Sequence, residues 1–597
     1  MSSRARPDAR ARAAFLAGAA AALVAAVDLT RWIRPGVLTE PEPAWALPRL
    51  VLGLFVVAGT AAAGVLAAAA FLLARRFFDT MPTSLPFSRF ALALVAAAAL
   101  GGGALLRFAS LDTLPPSLWI DDVSLIAPAL ALSGSLSDFD DAIRAAPYGV
   151  GKSYGSVGVL YLELYRAALL LFGTTVFGVR LLSAAAGVAS ILTALLLGRA
   201  LLPRGGGTVA ALALAGMRWH LILSRWGWNA VVLAPAVDVA ALLLLRARRR
   251  DSLLPAMAAG VVAGLAAHVY LAAWVAATAL LLLAVWPSPG IGPPRRRFPQ
   301  ALLFLAGFAC AAAPLFLLRE GRAAPYFARA SDHSLAAEIR YARSVMPGFA
   351  AAADSLAGPW FVADPVARND LPGRSRLGWI LGIPLGVALA RSLLRPREEL
   401  SAYLLSQAGA ALAASVAGGH AGVPNGYRFG YLCDAAAVAV AGGFLCLLAV
   451  FPAPRRRAAA LAGLGLVAVS GALGARDALL AWPQRRETFD GFHGQDTLLA
   501  RAALRWERLG TATVSGALGH SPITIEGIRR FRLDPCPGPE GSGRSIRSSQ
   551  RAFRVAPPDT APQSGERSVE RLRDAWGREW AVVIGRREPP PSTRPEQ

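Results

Sequence analysis

Lysine is almost missing from this sequence. Lys152 is the single lysine among 61 basic residues in a chain of 597. Charge of any sign is scarce: Asp, Glu, Lys and Arg make up 17%, where a soluble domain carries about a quarter. A large charge-coated globule is thereby excluded. Cysteine is rare as well. Cys310, Cys433 and Cys446 fall in apolar runs and Cys536 stands alone near the C-terminus, so neither a disulfide framework nor a cysteine-based zinc site is present. The chain also lacks a His-Glu-x-x-His pair, a Cys/His cluster and a serine-nucleophile motif, which removes support for a hydrolase or metalloprotease. Residues Gly149, Val150, Gly151, Lys152 and Ser153 end like a phosphate-binding loop, but Ala146 stands where that loop needs its first glycine and no strand precedes it. A nucleoside triphosphatase is excluded on that ground.

What is abundant is apolar sequence, 55% of the chain, gathered into runs of Ala, Leu and Val. A helix crossing a bilayer needs about 20 such residues. Spans are expected near 13–30, 49–74, 88–106, 156–173, 176–200, 206–222, 226–246, 255–270, 271–286, 301–318, 376–394, 401–418, 429–451 and 457–475. One such run could be a buried core helix, but so many in one chain predict an all-α polytopic membrane bundle of roughly 12–14 helices. Residues 1–87 hold the first helices, 88–480 the core and 481–597 a soluble, partly disordered tail. The basic N-terminus (Arg4, Arg6, Arg10, Arg12) before an apolar run reads as a retained first helix rather than a cleaved signal peptide.

The net charge of +23 is an arginine surplus set beside apolar runs: Arg75 and Arg76, Arg246 to Arg250, Arg295 to Arg297, Arg455 to Arg457. Membrane anchoring on the inner side explains this placement, and nucleic acid is not an expected partner. Alternation from Arg75 and Arg76 puts 107–153 outside. The arginines at 295–297 put 319–375 on that same face. In the tail, a helix is expected at 497–507, strands at 511–514, 523–525 and 580–584, and disorder over 535–568 and 588–597, which makes a small α/β appendage.

Several residues carry potential chemistry. Asp121 and Asp122 follow a span and open an apolar stretch. They suit a general base or a cation ligand, and equally an N-cap that satisfies helix N–H groups. Charge at mid-bilayer costs about 2.5–3.5 kcal/mol, so Glu163, Arg166 and Asp238 must face protein or water, with Glu163 and Arg166 spaced to pair on one face. Arg180 and Arg225 flank spans. His268, Tyr270 and Trp274 fit an interfacial anchor or a cavity wall.

The order of these pieces, from about 88 to 475, resembles the membrane glycosyltransferase superfamily with the GT-C fold, in particular bacterial relatives of protein O-mannosyltransferases and of the lipid A aminoarabinose transferase. The residues that carry the resemblance are Trp119-Ile120-Asp121-Asp122, then Lys152, the stretch 155–173, and Gly178-Val179-Arg180-Leu181-Leu182-Ser183-Ala184. Further on come Leu223-Ser224-Arg225-Trp226-Gly227-Trp228 and 264–270 with His268 and Tyr270. Asp364-Pro365, Arg368-Asn369 and Pro372-Gly373 follow, then Pro424-Asn425-Gly426-Tyr427-Arg428. The resemblance implies an inverting transferase of the bacterial inner membrane, active at the periplasmic face. It would move a sugar from a polyprenyl-phosphate donor to a hydroxyl of a lipid, protein or polysaccharide. It implies Asp121 or Asp122 as base and Lys152 as the cation on the lipid phosphate. Arg368 and Arg428 would assist, with Arg225, His268 and Tyr270 lining the site. A divalent cation is an open expectation. Asn229 stands where several relatives carry a second acid; it cannot act as a base but can orient a hydroxyl. A transporter or flippase of lipid-linked sugars is the competing expectation, although the internal repeats typical of transporters are not evident.

Overall fold

The computed structural model describes residues 84–132, 159–288, 294–317, 364, 366–417, 429–507, 511–514, 522–533, 551–564 and 566–587. The expected spans 13–30 and 49–74, and with them Lys152, Arg428 and Cys536, lie outside the described residues.

Each expected span within the described residues forms helix. The helices are α1 (Arg89–Phe108), α2 (Ile120–Ser124), α3 (Ile126–Ala131), α4 (Val159–Phe172), α5 (Val176–Leu201), α6 (Gly206–Gly216), α7 (Arg218–Leu223), α8 (Ala230–Arg250), α9 (Leu254–Ala267), α10 (Ala273–Val285), α11 (Pro294–Ala312), α12 (Pro314–Leu317), α13 (Gly378–Leu394), α14 (Glu399–Ala417), α15 (Leu432–Leu448) and α16 (Arg456–Arg476). The starts are set by local chemistry. The Ser88 hydroxyl accepts the Ala91 N–H at 3.1 Å and the Thr175 hydroxyl accepts the Gly178 N–H at 3.0 Å, each satisfying a donor the helix cannot. Helices α1, α5, α8 and the stretch Ala453–Ala481 are each long and apolar enough to cross a membrane, and α13 and α14 meet at a bend of 105°.

Arginines mark one end of the bundle. There Arg249 pairs with Glu399, Arg391 with Glu398 and Arg296 with Asp251. Arg248 donates to the carbonyls of Leu283 and Trp286 that close α10, at 2.7 and 2.9 Å. Helices α5, α8, α10 and α13 end here and α9, α11 and α14 begin. Residues 217–229, 268–272 and 366–377 therefore gather at the opposite end, together with the turn after α1.

Helix α4 departs from expectation. It was expected to cross the membrane, yet both its ends sit at this opposite end. At its start the Tyr161 N–H donates to the His268 carbonyl at 3.2 Å. At its end it turns through Gly173 (φ +76°) straight into α5, whose Arg180 holds residues 111 and 117. The helix lies along the bundle end, with Leu170, Leu171 and Phe172 exposed, as an interfacial helix does.

Small residues let the helices approach closely. A Cβ on Gly443 of α15 would lie 1.7 Å from the Pro384 carbonyl oxygen of α13, and one on Gly260 of α9 would lie 2.0 Å from that of Phe304 on α11.

The tail continues with α17 (Arg486–Gly491), α18 (Gly494–Glu507), β1 (Thr511–Val514), α19 (Pro522–Phe531), β2 (Arg551–Ala556), β3 (Glu566–Arg573) and β4 (Glu579–Arg587). The sheet order is β1-β2-β4-β3, with β1 parallel to β2 and the other pairs antiparallel. Two expectations are corrected. Residues 523–525 are helical, because Ile525 and Ile528 recur at helical spacing on the buried face. Residues 551–556, and 566–568 at the start of β3, are strand rather than disordered chain. β3 is a charged edge strand held by cross-strand pairs of Arg571 and Arg573 with Glu579, a composition that protects an open edge. Bundle and tail share one apolar core, which runs from Val123 and Trp226 through Phe492 and Leu499 to Ile528 and Val583.

Gly443→Leu is expected to destabilise the chain by about 1–3 kcal/mol through overpacking. A fall in the melting temperature of the detergent-purified protein checks this, with Gly465→Leu, where nothing approaches within 4 Å, as the control.

Candidate active site

The site begins with two buried arginines that hold an irregular turn, and a third that ties α1 to α6 beside it. Arg225 donates to the carbonyls of Leu106, Arg107, Ala109, Ser110 and Leu114 at 2.7–3.3 Å. Arg180 donates to those of Leu111 at 3.0 Å and Ser117 at 2.9 Å. Arg107 holds Gly103 and Ala215 at 2.9 and 3.1 Å. The turn is secured from the tail side as well: the Leu118 N–H donates to Thr497 at 3.1 Å and Arg501 donates to the Pro116 carbonyl at 3.0 Å.

This clamped segment delivers Trp119, Asp121 and Asp122, and the structure separates the two acids. Asp122 is fully buried. Its Oδ2 accepts the Trp119 N–H at 2.9 Å, capping α2, and its own carbonyl accepts the Tyr165 hydroxyl at 2.8 Å. Burial pushes its carboxyl up to about 6, against the pull of Arg180 and the Trp119 N–H; neighbouring Asp121 adds to the rise. Asp121 is half-exposed and its Oδ2 accepts the Trp119 indole N–H at 2.9 Å. The cap expected of one acid thus falls to Asp122, and the carboxylate that faces outward is that of Asp121.

An aromatic wall surrounds them. The Arg368 guanidinium lies 3.9 Å over the Trp119 ring, where a cation is attracted to the π face, and its Nη1 donates to the Gly491 carbonyl at 3.4 Å. His493 meets Trp119 edge-on with centroids 4.8 Å apart. Trp226 stacks on Trp228 at 5.6 Å, and Trp228 meets Tyr270 at 6.3 Å. Phe492 bridges Trp226 and Trp482, whose indole donates to the Ala367 carbonyl at 2.7 Å.

Of the residues singled out from sequence, Asp121, Asp122, Arg368 and Tyr270 are drawn into this constellation. Arg225, Asn229 and His268 are beside it with their side chains on backbone: Asn229 donates to the Val269 carbonyl at 2.9 Å, and His268 Nε2 lies 2.8 Å from the Ala311 carbonyl. Lys152 and Arg428 are outside the described residues. In the sequence Trp119 stands out only as part of a motif, and the tail residues Phe492 and His493 carry no expectation. The signal for them was present: Gly491 and Gly494 bracket an aromatic-histidine pair, the pattern of a tight turn that presents side chains. His493 takes φ +50° there. Among the described residues no group of three or more His, Cys, Asp or Glu converges to hold a metal ion.

No protein-family model and no curated protein matches the sequence. The structure of ArnT from Cupriavidus metallidurans bound to undecaprenyl phosphate is similar over 84% of this chain and 98% of that one, with a TM-score of 0.50 and 15% identity. The fold is GT-C-like. The apo structure of the same protein aligns at a TM-score of 0.48 with 16% identity, over 83% of this chain and 98% of that one. Arabinosyltransferase EmbB from Mycobacterium smegmatis aligns at 0.34 with 14% identity, over 88% of this chain and 49% of that one.

Arg180→Ala strips the buried Leu111 and Ser117 carbonyls of their donor, and each unsatisfied group costs about 1–3 kcal/mol. The expected result is a lower melting temperature and faster limited proteolysis within 109–118, read by mass spectrometry.

Proposed function

We propose that this chain is a membrane glycosyltransferase that moves a sugar from a polyprenyl-phosphate donor to an acceptor hydroxyl, with inversion, at the outer face of the bacterial inner membrane. The observation that carries the reading is the pairing of Asp121 and Arg368 about one indole. The half-exposed carboxylate is aligned by the ring N–H while the guanidinium covers the ring face. Base and cation therefore share one rigid mount. The GT-C-like fold supports it, as does the undecaprenyl phosphate bound to ArnT. The outer face is supported by the arginine-rich end lying opposite, since such ends stay in the cytoplasm.

In this scheme Asp121 takes the proton of the acceptor hydroxyl as the oxygen bonds to the anomeric carbon. The bond from that carbon to the phosphate oxygen breaks on the opposite side. Its electron pair leaves with the polyprenyl phosphate. A phosphate is a good leaving group, so the site needs cations for the growing charge more than it needs an acid. Arg368 serves there, and Lys152 and Arg428 are the further cations that the sequence offers for the phosphate. Arg225, Asn229 and His268 fix the backbone on which these groups stand, and Tyr270 closes the wall with Trp228.

Asp121→Asn is expected to lower sugar transfer about 10²–10⁴-fold, the usual worth of a general base, with binding of polyprenyl phosphate retained. Purified protein in nanodiscs with a radiolabelled lipid-linked sugar measures both. Full transfer by Asp121→Asn removes the base assignment, and translocation of the lipid-linked sugar without transfer supports a flippase instead.

The acid limb of the pH profile should have an apparent value near 6. Below it Asp122 takes up a proton, loses the charge that accepts the Trp119 N–H, and loosens the turn that aims Asp121. The linkage runs the other way for stability. Folding raises this carboxyl from 3.8 to about 6, so burying its charge costs stability that grows as pH rises across that window. Asp122→Asn should therefore remain folded at neutral pH and lose the limb near 6 in kcat/KM.

A further inference from the structure

Among the described helices long and apolar enough to cross a membrane, the stretch that contains α16 is the least buried. It stands unevenly against its neighbours. Near its C-terminus α16 touches α6 backbone to backbone: a Cβ on Gly216 would lie 2.3 Å from the Gly471 Cα, and one on Gly474 would lie 2.2 Å from the Gly216 carbonyl oxygen. Closer to its start, Gly463 rests on the Phe444 ring of α15, where a Cβ would lie 2.2 Å from the ring. Before that contact α16 carries Ala458, Ala459 and Ala462, side chains too short to reach across to α13. Helix α13 is itself pinned to α15 at Gly443 and Pro384 and cannot shift to close the gap. A groove of about 720 Å³ is left between α13 and α16, floored by Phe444, Leu447 and Phe451. The one charged residue in its lining is Arg455, at its mouth.

The mouth lies at the arginine-rich end of the bundle, because Gly442 beside it on α15 faces Leu202 and Leu400, where α5 closes and α14 opens. A second observation there is independent of the groove's shape. Arg249, Arg391 and Arg296 are paired with acids, Arg248 closes α10, and Arg456 turns back to the Phe451 carbonyl at 3.0 Å. Arg455 and Arg457, by contrast, are exposed and pair with no acid among the described residues. Unpaired positive charge therefore stands where an apolar groove opens.

We propose that this groove holds one anionic glycerophospholipid of the leaflet at the arginine-rich end. Its phosphate sits on Arg455 and Arg457 and one acyl chain lies between α13 and α16. Basic groups beside a spanning helix attract anionic headgroups in this way. Length agrees with the occupant. From Arg455 to Val467, the groove's limits on this side, a helix rises about 18 Å, against about 15 Å for half of a hydrocarbon core about 30 Å thick. The groove thus suits a chain from a single leaflet, whereas a partner's spanning helix would have to cross both. The donor of the proposed transfer is a different lipid, since its phosphate is assigned to Arg368 at the opposite end of the bundle.

The test uses the full chain, purified in mild detergent and weighed by native mass spectrometry. Delipidated protein is then titrated with phosphatidylglycerol or phosphatidylcholine. The expected result is one retained anionic phospholipid per chain, and a saturable rise in melting temperature with phosphatidylglycerol alone, as ligand linkage requires. Arg455→Gln should weaken phosphatidylglycerol binding about 5-fold, the worth of one basic residue at a membrane surface. Ala462→Trp, which fills the groove without changing charge, should abolish retention. Arg250→Gln removes an exposed arginine of the same end that does not line the groove and should bind as the wild type does. A chain that retains no phospholipid, or responds equally to both lipids, overturns the proposal. So does equal weakening by Arg455→Gln and Arg250→Gln, since that result assigns the attraction to the whole basic end, or retention of polyprenyl phosphate in place of phospholipid.

Discussion

The capture of backbone carbonyls by buried guanidinium groups is what the rest of the structure depends on. Between α1 and α2 the chain abandons regular structure at the edge of an apolar bundle, where unsatisfied carbonyls cannot be left facing hydrocarbon. Arg180 and Arg225 supply the donors. The turn they hold is what sets Trp119, Asp121 and Asp122 at a fixed height on the bundle end.

This dependence gives a physical sense to the near-absence of lysine. One guanidinium reaches several carbonyls in a fixed planar fork, and Arg225 reaches five of them. An ammonium group is a compact, strongly hydrated charge that cannot span such a set. The same fork lets Arg368 lie flat on Trp119 while keeping a donor for Gly491. At the other end of the bundle, arginines both close helix ends and pair with acids.

The tail is part of the site rather than an appendage to it. Thr497 and Arg501 hold residues 116–118, His493 and Phe492 complete the aromatic wall, and α19 packs on α2, where a Cβ at Gly527 would meet Val123 at 2.1 Å. The acid pair is therefore gripped from below by the bundle and from above by the tail.

The sequence by itself determined the membrane bundle, because apolar runs and their arginine-rich breaks are local properties read one segment at a time. It also marked the acid pair, the helix expected at 497–507 and the strand at 511–514. Only the tertiary structure decided which acid faces outward, since Asp121 and Asp122 are equivalent in local sequence until Tyr165 and Arg180 bury one of them. Likewise α4 is as apolar as a spanning helix, and only its partners at both ends show that it lies flat. The strand 551–556 and the start of β3 at 566–568 resemble disordered chain until their ladder forms. Trp119 and His493 are 374 positions apart by number, and a contact at that separation exists only once bundle and tail close on one core.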